Sequence, residues 1–286
     1  MKLRDRGILI TGGSHGLGLA IARVCVREGA HILICGREPE ALEQARVELA
    51  ASASKGQIVL ATQADVSRLE DVRRLFEIPR EFPSFDGVVN NAAVLGPQGL
   101  IEDADWDAWH RTVEINLFGS ALICREALRV FRAQNRGKIV NISGGGATGP
   151  RARYSAYGAS KAALVRLTET LAEEVKGTPI TINAVAPGAM NTRMLEQVLE
   201  AGPRAAGAAE YERAERQLQT GGTPPEQAAA LCVFLLSDES EGISGRLLSA
   251  VWDSWEQLPA RAAVLENTDV YTLRRIVPSD RGLPWD

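Results

Sequence analysis

The chain has 286 residues, 45% of them hydrophobic and 24% charged, with a formal charge of −4. This is the balance of a globular protein with room for one large core, and its charge gives no reason to expect nucleic acid or an anionic membrane as partner. Cys25, Cys35, Cys124 and Cys232 lie scattered inside apolar runs and read as buried free thiols, and neither they nor His15, His31 and His110 have the spacing of a metal site.

Residues 7–10 (Gly-Ile-Leu-Ile) form a short apolar run suited to a strand buried on both faces. Thr11-Gly12-Gly13-Ser14-His15-Gly16-Leu17-Gly18 follows, and then Leu17, Ala20, Ile21, Val24 and Cys25 recur at helical spacing. Strand, glycine turn and helix together suit a dinucleotide. The glycines let backbone approach a pyrophosphate, and the helix start offers free N–H groups to it. A glycine turn can also be a plain strand-to-helix connection. The next strand, residues 31–35, runs into Gly36-Arg37-Glu38. An acid at that point would bind a free ribose 2′-hydroxyl, and an arginine a 2′-phosphate. Gly36 carries no acid and Arg37 is basic, which favours NADP over NAD, while Glu38 is expected to open the next helix, where a carboxylate suits the dipole.

The alternation continues with a helix over residues 40–51, a strand over 57–61 leading to Asp65-Val66, and a helix over 69–76. A loop spans 82–85, and a strand over 87–89 ends in Asn90-Asn91-Ala92-Ala93. Residues 105–132 read as one long helix carrying Asn116. A strand over 138–142 is followed by Ser143-Gly144-Gly145-Gly146, a helix over 157–176 by a strand over 181–185, and that strand by Pro187-Gly188. Strands alternating with helices imply an α/β fold, a doubly wound parallel sheet in a single Rossmann-like domain over 1–286. Ligands of such sheets bind beyond the carboxyl ends of the strands. The glycine turn, Arg37, Asp65, Asn90, Ser143 and Pro187 are all expected there.

Tyr157 and Lys161 are four residues apart, so a helix places them on one face. A nearby ammonium favours the phenolate and lowers the phenol's pKa, which makes a proton donor and acceptor usable near neutrality. Such a pair also occurs on solvated helix faces, and only the residues upstream single this one out.

Taken together, Thr11-Gly12-(x)3-Gly16-x-Gly18, Asn90-Asn91-Ala92, Asn116, Ser143, Tyr157-(x)3-Lys161 and Pro187-Gly188-(x)3-Thr192 resemble the single-domain branch of the short-chain dehydrogenase/reductase family, over about residues 5 to 250. The resemblance implies an enzyme that uses NADP(H) to interconvert a ketone and a secondary alcohol. Tyr157 would be the general acid or base, and Lys161 would tune it and hold the nicotinamide ribose. Ser143 would bind the reacting oxygen. Asn116 would interrupt its helix and hold a relay water behind Lys161. Gly12, Ser14, His15, Gly16, Leu17 and Gly18 would cradle the pyrophosphate, with Asp65 and Val66 at the adenine. Asn91 and Ala92 would line the cofactor ribose, and Pro187, Gly188 and Thr192 would position the nicotinamide amide. Epimerisation or dehydration with transient oxidation, or a non-catalytic NADP sensor, are the competing functions.

The chain departs from the family pattern at Ala93, where a glycine is usual, and in an extra tail over residues 251–286. Trp255, Leu258, Ala262 and Leu265 at near-helical spacing suggest a helix there, capped by Asp253 or Ser254. With Trp252, Tyr271 and Trp285 they offer apolar area for packing on the same or a neighbouring subunit. The family pairs through its long helices, so a homo-oligomer, dimer or tetramer, is expected. Residues 193–222 are expected to form a substrate lid, flexing over the Gly/Ala-rich stretch 201–209, with Met194, Leu195, Val198 and Leu199 as its apolar face and Tyr154 and Tyr211 in the pocket. The substrate expected is a small carbonyl or alcohol, with sugar derivatives, polyketide-like ketones and acyl thioesters all open. The longest apolar run, residues 228–236, is too short to cross a bilayer. No apolar targeting segment opens the chain, so a cytoplasmic location is expected.

Overall fold

The computed structural model describes residues 1–284; Trp285, one of the tail aromatics, lies outside the described residues. Seven parallel strands form one sheet in the order β3-β2-β1-β4-β5-β6-β7. They are β1 (Gly7–Thr11), β2 (His31–Gly36), β3 (Val59–Gln63), β4 (Gly87–Asn90), β5 (Gly137–Ile142), β6 (Ile180–Ala186) and β7 (Leu247–Ser249). Alternate residues of each strand feed opposite faces. Ile8, Ile10, Ile32, Ile34, Val140 and Val185 pack on one side with α1 (Gly16–Arg27) and α9 (Pro225–Leu236). Leu9, Leu33, Val88, Ile139 and Ile182 pack on the other with α3 (Leu69–Leu75) and α5 (Ser120–Gln134). Both faces are covered, which is why β1, β4 and β5 are buried along their whole length. Each such side chain contributes about 1.5–3 kcal/mol by its burial.

The strand order reverses between β1 and β4. Chain leaving β1 turns towards β2, and chain leaving β4 goes the other way, so a crevice opens between their carboxyl ends. The expected fold class therefore holds, while several boundaries move. The strand read at 57–61 runs two residues later. Gln57 is a loop anchor whose side chain donates to the carbonyls of Val26 (2.9 Å) and Ala30 (2.8 Å). β3 is an edge strand, so polar Thr62 and Gln63 can extend it. The helix α2 covers Pro39–Ser52, with Glu38 as its N-cap residue but without a side-chain cap.

The single helix read over 105–132 is three pieces: α4 (Trp106–Val113), a π-turn (Glu114–Gly119) and α5. Asp105 caps α4 by accepting from the Ala108 amide at 3.0 Å. Asn116 sits in the π-turn, fully buried, as the helical interruption expected of it. The helix α6 (Ser155–Glu174) carries Tyr157 and Lys161.

Over the crevice lie α7 (Arg193–Ala206) and α8 (Ala208–Thr220), the segment expected to be a lid. It is helical rather than loose. The Gly/Ala-rich stretch contributes breaks at Gly202 (φ 70°), which precedes Pro203, and at Gly207 (φ 90°). Left-handed backbone at both points is available to glycine with little strain.

The tail differs from expectation. Pro259 lacks an amide proton, and the helix read from Trp255 is two 3₁₀ turns followed by the short α10 (Ala262–Glu266). Neither proposed cap acts: the Asp253 carboxylate accepts instead from the Ser249 amide at 2.6 Å, and Ser254 makes no side-chain cap. Leu258 and Leu265 are buried against the subunit's own core, where Trp255 packs on Phe234 with ring centroids 5.3 Å apart. Arg246 ties the segment down by donating to the carbonyls of Thr268 (2.9 Å), Val270 (2.7 Å) and Leu265. Most of the apolar area invoked for a neighbouring subunit is thus used within the chain. Trp252 stays 85% exposed.

Candidate active site

One cleft of about 1700 Å³ runs along the carboxyl ends of the strands. It is lined by Gly12, Ser14, His15, Gly16, Leu17, Arg37, Asp65, Val66, Asn91, Ala92, Ser143, Tyr157, Lys161, Pro187, Gly188 and Thr192. Of the cofactor and catalytic residues singled out in the sequence, Gly18 and Asn116 stand behind its wall, as does Asn90, which is buried and donates to the Asn141 side chain at 2.9 Å.

The turn after β1 shows why glycines are needed. Gly12 has φ 63° and lies against the Ala92 backbone, and a Cβ on Gly18 would stand 2.2 Å from the Gly12 carbonyl oxygen. Gly18 thus lets α1 press onto the turn. Thr11 joins the two sides of the crevice, its hydroxyl accepting from the amides of Asn91 and Ala92, both at 3.0 Å. Asn91 donates back to the carbonyls of Thr11 (3.0 Å) and Gly12 (3.1 Å), so its side chain braces the turn. No side chain caps the start of α1, whose first turn holds no acid, and at Gly16 the nearest atom to an added Cβ is a Thr192 methyl 3.8 Å away. Uncapped amides facing open space at a helix start suit a phosphate group. Ala93 has no left-handed backbone, so its Cβ causes no strain where the family favours glycine.

At the ribose end, Arg37 is exposed and lines the cleft, and among the described residues its guanidinium has no ion-pair partner. Glu38 does not cap α2. Its carboxylate faces Arg193 at 3.4 Å and His15 at 3.9 Å across the cleft mouth. Asp65 pairs with Arg111 and accepts from the Ser67 hydroxyl at 2.7 Å. These contacts, with the Arg111 charge among them, outweigh its burial and hold its carboxyl below the usual range.

At the other end, Tyr157 is buried with its hydroxyl against Gly144, where an added Cβ would stand 2.4 Å from that oxygen. Burial pushes the phenol pKa up, and the Arg151 guanidinium opposes that shift. Lys161 was expected to lower it, but the amine stands 5.7 Å from the ring centroid and donates to the Ile142 carbonyl at 2.8 Å. Its own pKa falls to about 8 because its charge is buried. Ser143 is 2% exposed, and among the described residues its hydroxyl has no hydrogen-bond partner. A buried hydroxyl in that state costs about 1–3 kcal/mol and in a cleft marks the place of a missing acceptor or donor.

Asn116 is engaged. Its side chain accepts from the Val94 amide (2.8 Å) and donates to the Val94 carbonyl (2.9 Å) and the Ser160 hydroxyl (3.1 Å). Tyr154 and Tyr211 do not line the cleft: Tyr154 is core, with its hydroxyl on Gln98 at 3.1 Å. Met194, Leu195 and Val198 do line it, while Leu199 packs behind them. Arg151, Glu210 and Arg213 also line it. They sit in an irregular loop and on a charged helix, where no period in the sequence marks them.

The short chain dehydrogenase family profile matches residues 6–202. The 2-(S)-hydroxypropyl-CoM dehydrogenase 3 of Xanthobacter autotrophicus is 31% identical over 85% of this chain and 94% of its own length. Among solved structures, an NAD⁺-bound xylitol dehydrogenase aligns with a TM-score of 0.79 at 27% identity, over 87% of this chain and 98% of that one. An actinorhodin polyketide ketoreductase with NADPH aligns at 0.77 and 27%, over 85% and 95%. The chain belongs to the short-chain dehydrogenase/reductase family. It is an NAD(P)-dependent oxidoreductase acting on the CH–OH/C=O couple. Among the described residues no helix is long and apolar enough to cross a membrane, and no three or more His, Cys, Asp or Glu side chains are grouped so as to hold a metal ion.

Proposed function

We propose that this protein interconverts a ketone and a secondary alcohol with NADP(H), and that Tyr157 is its general acid and base. The observation that carries this reading is the unpartnered Ser143 hydroxyl, buried in the same cleft wall as the Tyr157 hydroxyl. The residues present fit the cofactor: the glycine turn leaves room for a pyrophosphate, and the uncapped start of α1 supplies amides to it. Bound there, the nicotinamide supplies or accepts the hydride.

The chain's own part is proton supply and orientation. In reduction, the Ser143 hydroxyl donates to the substrate carbonyl oxygen and fixes its position. Tyr157 then gives its phenolic proton to that oxygen as negative charge develops there. Burial favours the protonated phenol, the state a reductase needs before each turnover. Lys161 and Arg151 supply positive charge as the phenolate forms. Asn116, held by Val94 and Ser160, fixes the π-turn against α6, so its part in a water relay is one of position. Oxidation runs the same path in reverse.

The preference for NADP(H) rests on Arg37, which has no acidic partner among the described residues, and on a Glu38 carboxylate turned towards Arg193. A charge-assisted contact to a 2′-phosphate contributes roughly 1.5–3 kcal/mol, about ten- to a hundredfold in affinity. Calorimetric titration of NADPH and NADH, followed by ketones and secondary alcohols assayed by nicotinamide absorbance, tests the reading. NADPH should bind more tightly by that factor; tighter NADH binding would overturn the cofactor choice.

A further inference from the structure

The substrate end of the cleft carries an excess of arginine although the chain as a whole is acidic, at −4. Arg151 and Arg153 enter it from the loop after β5, and Glu210 and Arg213 enter from α8, so three guanidinium groups face one carboxylate. On the first turn of α7, Arg193 is turned to Glu38 at 3.4 Å, so Glu196 adds a second carboxylate to this lining.

Arg151 is held like a binding group rather than a solvated one. Its guanidinium lies 4.0 Å above the ring of the buried Tyr154 and 5.8 Å from the ring of Tyr157. Its Nε donates to Glu210 at 3.1 Å, and Nη2 pairs with the same oxygen. Among the described residues its Nη1 donates to nothing. Arg213 pairs with the second Glu210 oxygen at 3.0 Å, and Arg153 has no acidic partner among the described residues. Arg153 also has φ 71°, an uncommon conformation for a side chain of its size, held where its carbonyl accepts from the Gly99 amide at 3.0 Å.

We propose that the substrate carries an oxyanion group, a carboxylate or a phosphate, a few bonds from its reacting carbon, and that Arg151 receives it with Arg213 and Arg153 behind. This inference rests on the ketone–alcohol reading above and names the substrate class of that same site. A guanidinium presents a planar fork that matches such an oxyanion, and stacking on Tyr154 fixes the fork before binding. The closeness of Arg151 to Tyr157 sets the short spacer. Glu210 holds the arginines in place and makes the anion compete for them.

The test compares 4-oxopentanoate with its methyl ester, and dihydroxyacetone phosphate with dihydroxyacetone, in wild-type enzyme and in Arg151→Met and Glu210→Gln. The wild type should prefer the charged member of a pair by tenfold or more in kcat/KM, through KM. Whichever pair shows the preference identifies the oxyanion. Arg151→Met should collapse that ratio, and Glu210→Gln should raise it, because the competing carboxylate is gone. Because Arg151 also supplies charge beside Tyr157, kcat of Arg151→Met should fall for both members, but a purely structural lock between loop and α8 would leave the charged-to-neutral ratio at its wild-type value. Equal use of charged and neutral members by the wild type overturns this inference and leaves the oxidoreductase reading standing. Absence of turnover with any ketone overturns that reading. Calorimetry of 4-oxopentanoate against its ester in the presence of NADP⁺ then still decides the anion site, and equal affinities would overturn it.

Discussion

The two ends of the cleft are built differently. The turn at the cofactor end is made of backbone and small side chains that bond and pack within the protein: Thr11 and Asn91 bond to it, and Gly12 and Gly18 pack against backbone. The substrate end is made of long charged side chains on a loop and on helices bounded by Gly202 and Gly207. The first is held by the fold itself, through contacts between backbone and the residues of the turn. The second depends on side chains that can change without disturbing the sheet, which is where a substrate is chosen.

The contrast makes the cofactor end intolerant. Gly18→Ala puts a methyl group 2.2 Å from the Gly12 carbonyl oxygen, which neither backbone can yield. We expect a loss of about 3 kcal/mol of stability, the upper range for overpacking, and loss of measurable NADPH binding. Thermal melts and calorimetry check both. A variant that binds NADPH normally would break the distinction between the two ends.

Lys161 stands between the two ends, and its buried charge opposes folding. Its folded pKa of about 8 lies below the ordinary lysine value of 10.5. Between those pH values the unfolded chain holds a proton that the folded chain lacks, so stability rises with pH across that window and the penalty is full below pH 8. Lys138, also lowered to about 8, adds to the same slope. Lys161→Met should therefore gain roughly 1–2 kcal/mol near pH 7, after the loss of the Ile142 hydrogen bond, and show about half the wild-type slope. Melting temperatures from pH 7 to 10 measure it. A less stable variant with an unchanged slope would contradict the burial penalty.

The smallest effect belongs to the exposed pair at the mouth. Glu38→Gln should change stability by less than about 1 kcal/mol and tighten NADPH binding modestly, because a carboxylate leaves the neighbourhood of Arg37. Weaker NADH binding with NADPH binding unchanged would show that Glu38, not Arg37, addresses the ribose.

The same contrast explains what could be read in the sequence. The cofactor end was legible because its requirements are local: a glycine where a Cβ has no room, a small polar residue closing a buried strand, Tyr157 and Lys161 one turn apart. Asn91 lines the cleft, as expected of a ribose neighbour, and also braces the turn, while the cation opposing the rise of the Tyr157 pKa is Arg151, not Lys161. At the substrate end the apolar Met194, Leu195 and Val198 line the cleft as expected, but the charged residues were not legible. Arg151 meets Glu210 across 59 residues of chain, and only the folding of α8 over the loop after β5 makes that pair. The tail was misread because helical spacing of apolar residues does not register Pro259, or an arginine such as Arg246 that gathers carbonyls from a later segment.

The proposal that Tyr157 is the general acid and base is tested most directly by Tyr157→Phe, which removes one oxygen and keeps the ring. With any ketone the wild type reduces, kcat should fall by about 10²–10⁴ while the calorimetric Kd for NADPH stays at its wild-type value. Turnover within about tenfold of wild type would show that the proton comes from another group and would contradict the assignment.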